Sequence, residues 1–521
     1  MAKKKPLPAR QLAIICISRF AEPISFTICF PFVVFMIRDF HMGDEKQTGF
    51  YVGILTSTFA LCQLLTGIPW GMLSDRVGRR PILLNGLFGT MIGILMFGLS
   101  KSFYWALFCR SLCGLLNGNV GIMKSMVSEL TIEHDEEQRA RAFSLLPLMF
   151  GLGSIIGPVL GGLLSNPVQN YPDIFGKGGF LTEFLTEYPY FLPCFISSVI
   201  TLCGLIFSYF FLEETLSTII DASKNNMQQE QSPLLGPKQQ QSDYNTFDDN
   251  RNNEVSSSVS SASTSTLTNF NQAPSLRECI TVPVLTVCLT YGLFSYQAIF
   301  YDELFPIWTG SARDHGGLGF ISKEIGIALA YSGCVTLTVQ LFVLPKLTKR
   351  FGFVPLFRCV LFVLIFLYAV QGTVRYLYAL PDVHGQTQTK FWVWPGLMLS
   401  TTIKTLCTTI AFLASTILTN NAAPRLDALG TVNGFSQCCA SGMRALGPAS
   451  CGIIWSGSLG ADWLPYWLRI HLSWIYLSLV GIATFYSTLR LDPADYDVSK
   501  FKTGQQEIPA SDDEDAVYNR A

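Results

Sequence analysis

Gly71-Met-Leu-Ser-Asp75-Arg76-Val-Gly78-Arg79-Arg80 is a short, strongly charged turn set between two apolar runs. Phe50 to Trp70 precedes it and Ile82 to Leu99 follows. Each run holds about 20 residues, about 30 Å as helix, which is the thickness of a bilayer's hydrocarbon core. The pattern therefore puts Asp75, Arg76, Arg79 and Arg80 at a membrane face. The whole composition agrees: 49% of the 521 residues are hydrophobic and only 14% are charged, whereas a soluble domain carries about 25% charged residues. A mean hydropathy of +0.35 excludes an ordinary soluble protein. The formal net charge of -1 gives no reason to expect a nucleic-acid partner.

Lipid-exposed backbone must satisfy its own hydrogen bonds, and the apolar runs are too long for barrel strands, so the fold is an all-α polytopic bundle. Twelve spans are predicted, at 12–37, 50–72, 82–99, 103–127, 142–165, 188–212, 281–302, 322–343, 355–374, 392–418, 429–456 and 465–490. The basic run Lys3, Lys4, Lys5, Arg10 leads into an apolar stretch too long for a signal-peptide core, so the first segment is expected to stay as a helix. With alternating spans, that run, the Asp75–Arg80 turn and the Lys346, Lys349, Arg350 turn share one side, which the positive-inside rule assigns to the cytosol.

The expected organisation is a cytosolic N-terminus (1–11), a six-helix bundle (12–214), a linker (215–278), a second six-helix bundle (279–491) and an acidic cytosolic tail (492–521). The linker is Gln-rich, then Ser-rich, without apolar periodicity, and is expected to be disordered. Within it, Glu230-Gln-Ser-Pro-Leu234-Leu235 has the spacing of an acidic dileucine signal for a sorting adaptor, a degenerate pattern that chance also produces. In the tail, Ser511 before Asp-Asp-Glu-Asp515 is read either as a phosphorylation site or as simple solvation. The fifteen cysteines lie in or beside apolar runs and read as small hydrophobes. The five histidines are single, without metal-ligand spacing, and no cofactor is expected.

The two halves echo each other. Ser74-Asp-Arg-Val-Gly-Arg-Arg-Pro81 aligns with Thr348-Lys-Arg-Phe-Gly-Phe-Val-Pro355, matching Arg76 with Arg350, Gly78 with Gly352 and Pro81 with Pro355. Gly157-Pro158-x-x-Gly161-Gly162 likewise aligns with Gly447-Pro448-x-x-Cys451-Gly452. Two matches at corresponding spans imply a tandem six-plus-six transporter.

The motifs then resemble those of a known family. Gly71-x3-Asp75-Arg76-x-Gly78-Arg79-Arg80 resembles the loop motif of the major facilitator superfamily, and Arg110-x3-Gly114-x3-Gly118 its span-four motif. Ser144-x8-Gly153-x3-Gly157-Pro158-x2-Gly161-Gly162 resembles the span-five motif of drug antiporters. With Trp70, Ala21-Glu-Pro-Ile-Ser25 and Glu303-Leu-Phe-Pro306, these are similar to the zinc-induced facilitator-like branch and its fungal relatives. Plant members carry a Cys-x-Gly-Cys signature and a His-rich loop, and this chain has neither. The resemblance implies the major facilitator fold, twelve helices in two pseudo-repeats, and alternating access.

On that basis Gly71, Asp75, Arg76, Gly78, Arg79 and Arg80 are expected to form a cytosolic gate, with Glu129 pairing Arg76 or Arg79 and the contacts locking the two halves on that side. The alternative, plain topology determinants, accounts for the arginines but not for Asp75 or the glycines. Gly153, Gly157, Gly161 and Gly162 give one smooth face for close helix packing, and Pro158 weakens the local ladder, so packing and hinge readings both stand. Ionisable residues inside spans cost about 2.5–3.5 kcal/mol each at mid-membrane and need a reason. Arg19 and Glu22, three apart on one helix face, can pair. With Arg110, Lys404 and Arg444 they set four cations against one carboxylate, a cavity for an anionic or zwitterionic solute with Glu22 as the coupling proton site. A structural Arg19–Glu22 pair is the competing reading. Gln297, nine residues before Pro306 as Glu22 is before Pro31, is the polar counterpart in span seven. Asp302 and Glu303 are expected at the exposed, non-cytosolic end of that span.

The expected function is proton-coupled secondary transport of a small organic solute, as export or sequestration, by a monomer in a vacuolar or plasma membrane. Zinc or a metal chelate is the alternative substrate by family alone. A sensor that keeps the scaffold without flux is the alternative function. No nucleophile elbow, phosphate loop or metal cluster suggests an enzyme.

Overall fold

Twelve membrane-length helical passes follow one another in the computed structural model, which describes residues 7–131, 134, 136–216, 281–424 and 429–492. Span one is Ala9–Thr27 continued by Val33–Asp39, two is Thr48–Val77, three is Arg79–Gly98, and four is Phe103–Leu116 continued by Asn119–Leu130. Five is Glu136–Leu164 and six is Phe191–Phe211. Seven is Val282–Gly310, eight runs from Ser322–Thr338 through a π turn to Leu344–Phe351, and nine is Phe353–Gln371. Ten is Val393–Asn421, eleven is Leu429–Gly460 and twelve is Tyr466–Thr488. The linker, the Glu230–Leu235 segment and the acidic tail lie outside the described residues.

Among the described residues, nine helices are long and apolar enough to cross a membrane by composition alone. Spans one, five and eleven fall short for visible reasons. Span one carries Arg19 and Glu22 and is broken, span five starts on Glu136-Glu-Gln-Arg-Ala-Arg141, and span eleven is rich in Gly and Ser. These are also the spans that meet the other half or the central polar cluster.

Local chemistry sets the breaks. Pro31 lacks an N–H, and the first pass interrupts between Thr27 and Val33. Span four breaks at Asn117–Gly118, and the indole Nε1 of Trp70 donates to the freed Leu115 carbonyl at 2.7 Å. Gly78, at φ +113°, ends span two and starts span three within one residue, a backbone state that favours glycine. Pro306 does not end span seven, which runs on to Gly310. Asp302 and Glu303 consequently lie inside a helix, Asp302 exposed there and Glu303 buried.

Spans one to six and seven to twelve form the two pseudo-repeats of an all-α membrane fold, and they touch unevenly. The larger apolar core draws on both, including Phe32, Phe97, Phe294, Trp308, Tyr368 and Trp474. The smaller core, with Leu12, Ile15, Leu83, Leu87, Met123 and Met126, belongs to the first repeat alone. The larger one takes its first-repeat residues, such as Phe32, Val52 and Phe97, from the side opposite the Gly71–Arg80 turn, hereafter the far side, and runs the length of the second repeat; the turn marks the motif side.

Candidate functional site

On the far side the repeats are sealed at backbone distance. Spans five and eight cross at Gly162 and Gly326, where a Cβ on Gly162 would lie 2.6 Å from the Gly326 Cα, and Ser165 Oγ donates to Ser322 Oγ at 2.8 Å. Spans two and eleven cross at Gly53 and Gly452, with a Cβ on Gly53 3.1 Å from the Gly452 Cα. The Phe50 amide donates to Ser456 Oγ at 2.8 Å, and Lys46 reaches Asp462 at 3.3 Å. His315 Nδ1 stands 3.5 Å from Glu45, which Arg38 also binds at 2.8 Å. Toward the motif side the same helices part: Gly67 and Gly71 of span two, Gly151 of span five and Gly434 and Gly442 of span eleven have nothing within 4 Å of where a Cβ would stand.

Between seal and opening sits a polar cluster. Arg19 pairs with Glu22 on span one, and the Arg19 guanidinium lies 5.1 Å from the Phe150 ring centroid of span five. Arg444 of span eleven, donating to Ser441 Oγ at 2.8 Å, is within electrostatic reach of Arg19, Glu22 and Tyr291. Lys124 of span four, within reach of Arg19 and Arg444, contacts Gln437 of span eleven at 3.4 Å. Three cations from both repeats thus gather in one cluster with the Glu22 carboxylate, which Arg19 pairs and Arg444 approaches.

Lys124 was not among the sequence candidates. It lies three residues before the hydropathy-predicted end of span four, where a lysine reads as an interface anchor; the helix in fact continues to Leu130. Two expected cavity cations sit elsewhere. Lys404 is bound by Asp302 at 2.6 Å and lies 4.4 Å from the Tyr301 ring centroid, so its charge is engaged by a neighbour in the same repeat. Arg110, 2% exposed, donates to Cys29 Sγ at 3.3 Å and lies 5.2 Å and 5.5 Å from the Phe59 and Phe97 ring centroids. Gln297 is fully buried near Gly481 of span twelve and does not line the opening. Glu303, expected at the surface, is 3% exposed, and its Oε1 stands 2.9 Å from Thr56 Oγ1 of span two.

The motif residues are held within the first repeat. Arg79 binds Asp75 at 2.6 Å, Glu129 at 3.1 Å and Ser74 Oγ at 2.6 Å. The Arg79 and Arg80 amides, the first two of span three, donate to the Glu214 carboxylate at 2.9 Å and 3.0 Å. A carboxylate there answers the positive end of the helix, and 135 residues of separation hid it from any local pattern. Arg80 also binds the Tyr209 carbonyl of span six. Arg76 is exposed. Glu129 is therefore the partner of Arg79, and among the described residues no contact of the turn reaches the second repeat. The expected lock between halves does not form here because the halves are parted on this side.

Gly153, Gly157 and Gly161 of span five pack on span one, where a Cβ on Gly153 would stand 2.7 Å from the Phe20 carbonyl and one on Gly157 3.0 Å from that of Ile24. Gly162, one residue on, turns to span eight instead. Pro158 lends its carbonyl to the same crossing, 3.0 Å from a Cβ on Gly326. Ser144 lies on span five, with its side chain outside the described ones. No group of three His, Cys, Asp or Glu among the described residues is placed to hold a metal ion.

Two six-helix repeats, sealed at one end and open at the other around a polar cluster, define a multi-pass membrane transporter. The chain belongs to the major facilitator superfamily, whose family model matches residues 15–448. It is 31% identical to the major facilitator superfamily multidrug transporter mfsB of Aspergillus fumigatus, over 88% of this chain and 81% of that one. It is 29% identical to the protein ZINC INDUCED FACILITATOR 1 of Arabidopsis thaliana, over 92% and 89%. A D-xylose–proton symporter of known structure superposes with a TM-score of 0.62 at 11% identity, covering 94% of this chain and 99% of the other, which shows the shared fold.

Proposed function

We propose that this transporter exchanges protons for a small organic anion or zwitterion by alternating access. The single observation that carries the reading is the cluster of Arg19, Lys124 and Arg444, drawn from both repeats, with the Glu22 carboxylate beside Arg19 and Arg444. Cations from both repeats recognise a negative group best when the repeats close on it, and that coupling of binding to closure is what alternating access needs. The basic turns assign the motif side to the cytosol, so the state described here is open inward. Glu22 is the proton site of this cluster, since its charge state sets how much of the cations' charge is left for a bound anion. A proton gradient of the required direction exists across a vacuolar or plasma membrane, and the Glu230–Leu235 segment is the candidate address. The gate residues Gly71 to Arg80 act in the other state, when spans two and eleven meet on the motif side.

The test is flux in liposomes holding the purified protein under an imposed pH gradient. Saturable uptake of organic anions that stops when the gradient is collapsed supports the reading. Arg444→Gln should lower uptake about 5–150-fold, the equivalent of about 1–3 kcal/mol for one charged contact, and Glu22→Gln should uncouple uptake from the gradient. Binding without flux would make the protein a sensor on the same scaffold, and gradient-driven uptake that survives Glu22→Gln removes Glu22 as the coupling site.

A further inference from the structure

Thr56 and Glu303 meet across the far-side seal, one from each repeat. Thr56 Oγ1 stands 2.9 Å from Glu303 Oε1 and 2.9 Å from the Val52 carbonyl of its own helix. A hydroxyl has one proton to give, and a carbonyl can only accept. When Thr56 donates to Val52, its contact with Glu303 is a hydrogen bond only if the carboxyl carries a proton and donates it. Burial argues the same way. At 3% exposure, an ionised carboxylate loses several kcal/mol of hydration unless a cation touches it. Arg110 is within electrostatic reach, but its described contacts are Cys29 Sγ and the faces of Phe59 and Phe97. Those aromatic faces accommodate the guanidinium charge without a carboxylate. The other titratable groups around Glu303 are the thiols of Cys29 on span one and Cys451 on span eleven, and its neighbour Asp302, engaged by Lys404 of span ten.

We propose that Glu303 is a proton-binding site separate from Glu22, and that its protonation latches the far side shut. The inference rests on the proton-coupled reading above and assigns that coupling a second group. With the seal closed, Glu303 holds a proton and bridges to Thr56. With the seal open, spans two and seven part, water reaches the carboxyl and the proton leaves. The closed state binds one more proton, so acidifying the far side favours closure and raising the pH favours opening. Through the window between the two states' pKa values, the open-to-closed ratio changes by up to about tenfold per pH unit for one proton. Two other far-side groups bear on this dependence. Lys46 holds the Asp462 carboxyl below its usual range, so it stays ionised throughout. His315 lies 3.5 Å from Glu45, and a variant at Glu303 alone separates its effect.

The experiment measures far-side distance by electron–electron double resonance on the full chain in nanodiscs. Nitroxides are attached through ketone-bearing residues at Ile174 and Val383, both exposed. In the wild type the short-distance population should dominate at acid pH and give way to a longer one between about pH 5 and pH 9. Glu303→Gln keeps a donor toward Thr56 that cannot ionise, and should hold the short population across the range with less than about a twofold change. Thr56→Val leaves the carboxyl but removes its acceptor, and should move the wild-type midpoint to lower pH. A wild type that does not titrate, one that closes as pH rises, or a Glu303→Gln protein that titrates like the wild type overturns the latch. Gradient-driven flux with distances indifferent to Glu303 leaves the transport reading standing and removes only the latch. Distances that obey Glu303 without any gradient-driven flux do the reverse.

Discussion

Gly162→Ala tests the far-side seal at its tightest point. The added methyl would stand 2.6 Å from the Gly326 Cα and 2.8 Å from the Ser322 carbonyl oxygen, where ordinary contact is about 3.5–4.0 Å. Backbone cannot rotate out of the way, so spans five and eight must part by roughly 1 Å, an overpacking that costs about 1–3 kcal/mol. The Ser165–Ser322 hydrogen bond beside it, 2.8 Å long, is stretched by the same movement and adds about 1 kcal/mol. Both losses fall only on the far-side-closed state, because the crossing joins one repeat to the other. At 1.4 kcal/mol per tenfold, the combined loss of about 2–4 kcal/mol shifts the balance toward the far-side-open state by about 30-fold to several hundredfold. Hydrogen–deuterium exchange by mass spectrometry reads this directly. Peptides covering the far-side ends of spans five, eight, two and eleven should exchange faster than in the wild type at the same pH, and motif-side peptides of spans two and eleven more slowly. Gly151→Ala on the same helix adds its methyl to open space and should leave the far side protected. Unchanged far-side exchange in a folded Gly162→Ala protein, or equal loosening by Gly151→Ala, would refute the reasoning.

Other perturbations follow from the same contacts. Glu214→Ala strips the carboxylate from the first two amides of span three and should cost about 1–2 kcal/mol, seen as a fall in melting temperature of about 2–4 °C in detergent; no change would mean that water caps that end equally well. Asp302→Asn leaves Lys404, 10% exposed, without its ion pair and should destabilise by about 1–3 kcal/mol, while Asp302→Lys with Lys404→Asp should recover more than half of the loss. Asp75 is 61% exposed in its pair with Arg79, so Asp75→Asn should change stability by less than about 0.5 kcal/mol yet slow transport. Charge reversal at Asp75 should slow it more than charge reversal at Lys349, and equal effects would show that the turn acts only as a topology determinant.

The repeat architecture was legible because it is written in residues with few alternative uses. Gly78 and Gly352, both at positive φ, mark the same tight break in each half, and the span-five and span-eleven glycines mark where backbones cross. Hydropathy was a poorer guide to the site. Span seven runs past its expected end at residue 302 to Gly310, through a Pro306 that a packed membrane helix tolerates when neighbours satisfy the freed groups; Glu303 is therefore buried rather than at a surface, while Asp302 is exposed as expected. The cation count was close but its membership was not. Which of Arg110, Lys124, Lys404 and Arg444 faces the opening depends on helix rotation set by packing, and a carboxylate three residues away, as for Arg19, or 102 away, as for Lys404, decides whether a cation is engaged. Glu214 was invisible for the same reason, as its partner lies in another span.

The two turns are unequal in their contacts as well as in their sequences. In each repeat an arginine near the start of the third helix clamps the end of the sixth: Arg80 binds the Tyr209 carbonyl, and Arg358 binds the carbonyls of Thr488 at 3.1 Å and Leu491 at 2.7 Å. By alignment on Gly78 and Gly352, Arg358 stands one helical turn later than Arg80. The clamp is therefore kept while its sequence position has moved, which is how a shared structural duty survives in diverged repeats. The acidic residues have no such counterpart. Asp75, Glu129 and Glu214 gather around Arg79 and the start of span three, while the second turn offers Lys346, Lys349 and Arg350. The exposed Asp75 on one repeat and the basic turn on the other attract when the motif side closes, and both are hydrated when it opens. If that attraction stabilises the motif-side-closed state, raising salt should favour the inward-open state and slow exchange, with a salt dependence reduced by reversing the charge at Lys349 or at Asp75 and partly restored by reversing both. A salt dependence indifferent to both positions would leave the clamp as the only shared duty of the two turns.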